Sequence, residues 1–192
     1  RHGQRIRDML GESKYERRLR DAYWTEPWVT RELLNCVPLR GVVWEPACGR
    51  GDMADVIKEQ YETIATDVLD HGYGDQVDFL DGSDWCDDPY RDAVETIVTN
   101  PPYIDAEAFV RTALSAMRGF GIVAMLLRNE WDSAASRRDL FTKEPFATKL
   151  VLTRRPRWDW WETDKPKASP RHNFSWFVWD ALHHGPPTLR YM

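Results

Sequence analysis

No stretch of this chain reaches the roughly 18 apolar residues that a membrane-spanning helix needs. Its charged opening, "RHGQRIRDML", holds no apolar core of a secretory signal. A cytoplasmic protein without membrane attachment is the expectation. Cysteine is scarce: Cys36, Cys48 and Cys86 are odd in number, widely spaced and form no CxxC pair. That pattern argues against a disulfide framework, a zinc knuckle or a redox dithiol, and points to reduced thiols. His183 and His184 stand side by side without a third ligand at helical spacing, so they read as surface residues and no metal is expected. There is no internal repeat and no low-complexity tract. Positive charge is not in excess either, and a formal net charge of -5 speaks against a uniformly basic nucleic-acid binder. The cations are local, however. One group is Arg1, Arg5, Arg7, Lys14, Arg17, Arg18 and Arg20, and the other is Arg154, Arg155, Arg157, Lys165, Lys167 and Arg171.

What is present is enough for one domain with a substantial core: 192 residues, 42% of them hydrophobic and 30% charged. Short apolar runs alternate with helical patterns. "GVVWEPA", "ETIATDV", "ETIVTN" and "GIVAMLLRNEW" read as buried strands, with "GDMADVIKEQY" and "AEAFVRTALSAM" as helices between them. Such spacing predicts βαβ units and a mostly parallel sheet covered on both faces, an α/β fold. The last two runs, "ATKLVLTRR" and "NFSWFVWDA", have no helix between them and predict an antiparallel pair at a sheet edge. Upstream, "TEPWVTRELLN" reads as a helix with Thr25 as its N-cap and Pro27 in its first turn.

Open α/β sheets bind ligands beyond the carboxyl ends of their strands, so the residues that end each apolar run are the informative ones. "EPACGRGD" follows the first strand, and Gly49 and Gly51 let backbone pass close to a ligand at a helix start. Asp67 ends the second, at the distance where an acid accepts hydrogen bonds from ribose hydroxyls, although it can also merely cap a turn. "QVDFLDG" offers Asp78 as an acceptor and Phe79 as an apolar surface, with Asp75 and Asp81 as competitors for the same contact and the core as another place for Phe79. The fourth ends in "TNPPY", which in isolation is also an ordinary turn.

Together, "YWTEPWV", "WEPACGRGDM" and "TNPPY" resemble the motifs of class I S-adenosylmethionine-dependent amino-methyltransferases, above all those that modify N6 of adenine in DNA. A weaker likeness, to the small phage and prophage enzymes, rests on "HGYGDQVDFLDG" and "SWFVWD". The resemblance implies a Rossmann-like, doubly wound sheet of seven strands. It also implies one methyltransferase domain over 1–192, with an N-terminal extension at 1–22. S-adenosylmethionine is the implied cofactor, with Tyr23, Thr25, Glu45, Pro46, Ala47, Gly49 and Gly51 around its methionine portion. Asp67 would meet the ribose, and Asp78 with Phe79 the adenine. Asn100, Pro101, Pro102 and Tyr103 would be catalytic.

An exocyclic amine is a poor nucleophile because its lone pair is delocalised into the ring. If the Asn100 side-chain oxygen and the Pro101 carbonyl accept its two N–H bonds, the lone pair is freed toward the methyl donor. The prolines remove two competing donors and Tyr103 offers a stacking face. The base must then leave the duplex or come from a single strand. The segment 153–173 mixes Arg154, Arg155, Arg157, Lys165, Lys167 and Arg171 with Trp158, Trp160 and Trp161, which suits phosphate contact and base stacking. Tryptophans packed back over the sheet edge are the structural alternative. DNA is the expected partner. RNA adenine, cytosine N4, a protein glutamine amide, which presents the same two N–H groups, and a binding module without chemistry remain the other readings.

Overall fold

The computed structural model describes residues 24–82, 93–117, 119–158 and 172–192. The extension at 1–22, Tyr23, Cys86, Trp160, Trp161, Lys165, Lys167 and Arg171 lie outside these. Helix α1 (Pro27–Cys36) leads into β1 (Val42–Glu45), α2 (Asp52–Lys58), β2 (Thr63–Asp67) and the short β3 (Asp75–Gln76). Then come β4 (Val94–Thr99), α3 (Ala106–Ala116), β5 (Ile122–Arg128), α4 (Arg138–Thr142), β6 (Phe146–Val151), β7 (Phe174–Asp180) and β8 (Thr188–Tyr191).

The strands form one sheet in the order β3-β2-β1-β4-β5-β7-β6-β8. The α/β class and the mostly parallel pairing are as the sequence predicts. Strand number differs: the sheet has eight strands, the two-residue β3 and the exposed β8 being too short or too polar to read as apolar runs. The antiparallel pair lies toward the C-terminal edge of the sheet, as the sequence predicts. β7 is antiparallel to both β5 and β6, and β8 then adds to β6 in parallel.

Alternation explains the burial. Along β5, Ile122, Ala124 and Leu126 face a cluster with Val29, Leu33, Met53 and Ile57, while Val123, Met125 and Leu127 face another with Phe109, Val110 and Ala113. Helices α1 and α2 therefore cover one face and α3 the other, which is why β5 and β7 are apolar at almost every position. The deepest tryptophans keep their N–H groups satisfied: Trp176 donates to the Val29 carbonyl at 3.0 Å and Trp179 to that of Leu140 at 2.7 Å. The first of these bonds ties α1 to the middle of β7.

The sheet order reverses between β1 and β4, since the chain runs from β1 outward to β2 and β3 and later returns to β4 on the other side. Parallel registry, Trp44 beside Ile64 and Ile97, brings the carboxyl ends of β1, β2 and β4 to one edge. Such a crevice is where ligands meet this class of sheet.

Candidate active site

A pocket of about 850 Å³, open mouth included, lies at that edge. Ten residues singled out from the sequence line it: Thr25, Glu45, Pro46, Ala47, Gly49, Asp67, Asp78, Phe79, Asn100 and Pro102. Gly51, Pro101 and Tyr103 do not. Gly51 is the N-cap of α2 at φ 90, and Pro101 is buried under the turn. Tyr103 faces away, stacked on Phe174 with centroids 5.8 Å apart, and the Arg128 guanidinium lies 5.5 Å from its ring. Sequence reasoning missed Trp24, Cys48, Leu69, His71 and Phe109 as wall residues. Trp24, Cys48 and His71 stand inside the quoted "YWTEPWV", "WEPACGRGDM" and "HGYGDQVDFLDG", the signal that could have found them; Leu69 and Phe109 carried none.

Thr25 is not the N-cap of α1. Glu26 takes that position, with Pro27 opening the helix, and the Thr25 hydroxyl is turned toward β4 instead. Asn100 donates from Nδ2 to Thr25 Oγ1 at 3.2 Å. Its Oδ1 is buried and accepts no hydrogen bond from any described residue. A buried amide oxygen in that condition is costly, so the geometry suits a site whose ligand brings the missing donor.

The carboxylates divide the work. Asp67 accepts from the Gly49 N–H through Oδ2 and from the Leu69 N–H through Oδ1, both at 2.9 Å, which braces the glycine turn against the end of β2. The oxygens retain lone pairs for a further donor. Glu45 is 2% exposed and its Oε2 has no hydrogen-bond partner. Burial first, and the neighbouring Asp67 charge second, push its carboxyl well above the ordinary range. Burial likewise pushes the Cys48 thiol up to about 12, so it stays protonated and is no nucleophile. With Asp52, Asp78 and Asp105 also on the wall, the pocket favours a ligand bearing positive charge. Phe79, 1% exposed, is both wall and core, packed on Trp44 and Phe109 at 5.1 Å each. Asp78 spends Oδ1 on the Leu80 N–H at 3.0 Å. At the rim, the Trp24 ring meets His71 edge-on at 5.5 Å and carries the Arg50 guanidinium at 5.1 Å.

The described part of the basic segment is anchored to the domain. Arg154 lies 4.7 Å over the Trp28 ring and 3.7 Å from Glu26, while Arg155 donates to Asn173 at 2.7 Å. Arg157 donates its backbone N–H to Glu26, and Trp158 packs edge-on against Phe174 at 4.9 Å. Among the described residues, no cluster of three or more His, Cys, Asp or Glu is arranged to hold a metal, and no helix is long and apolar enough to cross a membrane.

No family model and no curated protein matches the sequence. Solved structures do match. A Listeria monocytogenes protein provisionally named a class I S-adenosylmethionine-dependent methyltransferase aligns over 86% of this chain with a TM-score of 0.54 at 14% identity. This chain spans 64% of that protein's length. A Lactococcus lactis protein provisionally named a hemolysin aligns over 86% of this chain and 91% of its own, TM-score 0.57 at 10% identity. The DrdV protein, solved in complex with DNA, aligns over 88% of this chain and 27% of its own, TM-score 0.56 at 13% identity. Names as different as these mark a shared scaffold and leave the reaction to the site. The chain has the fold of the class I S-adenosylmethionine-dependent methyltransferases.

Proposed function

We propose that the protein transfers a methyl group from S-adenosylmethionine to the N6 amino group of adenine in DNA. The observation behind this is Asn100, an amide whose donor end is held by Thr25 and whose buried acceptor end has no partner, beside a pocket lined with acids. Alignment with the DNA-bound DrdV protein is consistent with a nucleic-acid substrate.

The pocket fits the cofactor. Glu45, with an unpartnered buried oxygen, would hold the cationic end of its methionine portion, Asp67 the ribose hydroxyls, and Asp78 with Phe79 the adenine. When bound, the cofactor supplies an electrophilic methyl on a sulfonium. The chain's own residues do the rest. Asn100 Oδ1 accepts one N–H of the target amine. The Pro101 carbonyl, which the resemblance implies as the second acceptor although Pro101 itself does not line the pocket, would take the other, so that the nitrogen lone pair leaves conjugation with the ring and is directed toward the donor. Thr25 keeps the Asn100 amide from rotating to present a donor instead. Because the prolines offer no N–H, nothing in the turn competes for those acceptors. The base enters from solvent by extrusion, costing a few kcal/mol when it comes from a duplex. Tyr103, stacked on Phe174, supports the turn from below rather than offering a free face.

The test is transfer of label from S-adenosylmethionine to unmethylated DNA, RNA and protein in parallel. N6-methyladenine in DNA is expected, with Asn100→Ala reduced about 10²–10³-fold in kcat and unchanged in cofactor affinity. Label in RNA or protein alone would replace the proposed substrate, and no label anywhere would leave a binding module.

A further inference from the structure

We infer that Glu26 is a positioning residue: its carboxylate fastens the root of the basic segment, residues 153–158, to the turn that sets the Asn100 amide. The inference rests on the function proposed above and extends it from the acceptor to the segment that would meet nucleic acid.

Glu26 holds the N-cap position of α1, where a side chain ordinarily accepts a helix N–H, yet it makes no such bond. It is 7% exposed and turned to the opposite side. There Oε2 accepts the Arg157 backbone N–H at 2.7 Å, across 131 residues of sequence, and Oε1 lies 3.7 Å from the Arg154 guanidinium. Its neighbour Thr25 accepts from Asn100 at 3.2 Å. Two adjacent residues thus grip the basic segment with one side chain and the catalytic acceptor with the other. A second route runs parallel: Trp158 packs on Phe174, Phe174 stacks on Tyr103, and Tyr103 follows Pro102 in the same turn. Burying a carboxylate is costly unless its geometry is used, and here both oxygens face the segment. Displacing residues 153–158 would move Glu26, and with it Thr25 and the direction in which Asn100 Oδ1 points. A misplacement of about 1 Å at such an acceptor is worth about 10²-fold in rate.

The test compares wild type with Glu26→Ala, which removes the grip, and Glu26→Gln, whose amide oxygen can still accept the Arg157 N–H. Three things are read: the Asn100 side-chain amide resonance, hydrogen exchange at the Arg157 amide, and kcat and KM with duplex DNA. Glu26→Ala is expected to shift the resonance, speed the exchange and lower kcat about 10–100-fold, with S-adenosylmethionine affinity unchanged. Glu26→Gln should restore most of kcat. If Glu26→Ala does not fold, Glu26→Asp, one methylene too short to reach, takes its place with the same expectation. A fall in melting temperature with resonance and kcat untouched would overturn the inference, since it would make Glu26 merely structural. A wild type that labels no nucleic acid overturns the proposed function alone, because the resonance and the exchange still decide whether the grip exists.

Discussion

At the scale of single residues, Glu45 and Thr25 do opposite things to the same pocket. Glu45 is buried with its carboxyl held above the ordinary value near 4.5, so the folded state keeps a proton that the unfolded chain has released. Above pH 4.5 the unfolded state binds fewer protons than the native state, and stability falls as pH rises through the interval up to the folded value. Glu45→Gln removes that penalty. Its melting temperature should match wild type near pH 4 and exceed it at pH 7–8, about 2–4 °C for each kcal/mol gained. Calorimetric titration of the same variant should show weaker S-adenosylmethionine binding, because the charge that costs stability is the one the cationic ligand uses. Thr25→Val removes a hydroxyl and keeps the shape. With Nδ2 unheld, the Asn100 amide can turn over, and kcat should fall about tenfold, the worth of roughly one hydrogen bond, while KM for DNA stays put in steady-state assays.

At the scale of elements, the start of α2 decides whether the pocket has a floor. Gly51 sits at φ 90, and a Cβ there would lie 2.4 Å from the Tyr73 ring, itself held by Asp55 and Lys58. Gly51→Ala therefore meets both a left-handed backbone and a ring that cannot easily retreat. The cost of the backbone alone is about 1–2 kcal/mol, and a fall of several degrees in thermal melts is the expected outcome. β7 shows the same dependence on context from the other side. Its run "FSWFVWD" is buried on both faces because α1 covers the side of Trp176 and α4 the side of Trp179.

At the scale of the whole molecule, the distribution of charge matters more than its sum. A chain with a formal net charge of -5 can hold a polyanion only through local cations, and Arg154, two-thirds exposed over Trp28, is the best placed of those described. Under the proposed function, plots of log affinity for duplex DNA against log salt should be linear and falling. Arg154→Ala should flatten the slope by about 0.9, one phosphate's worth of counterion release. An unchanged slope would remove Arg154 from the interface.

By itself the sequence determined the α/β class, the parallel strands and half of the pocket wall. Periodicity reports burial, and strand ends in such sheets converge on one edge whatever the details. Asp67 and Asn100, both at strand ends, were therefore legible as sharing one edge despite their separation, and Thr25 was placed beside them only by the family resemblance. Only the tertiary structure decided that β7 lies inside the sheet with β8 beyond β6, since strand order depends on pairings between distant segments and not on local pattern. It alone put Tyr103 on Phe174, away from the pocket, because a ring beside an acceptor turn has no local preference for either side. It alone joined Glu26 to Arg157. The sequence pattern pointed to Thr25 as the cap of this helix and gave no sign of Glu26, and nothing short of the folded chain shows that the partner of Glu26 is 131 residues away.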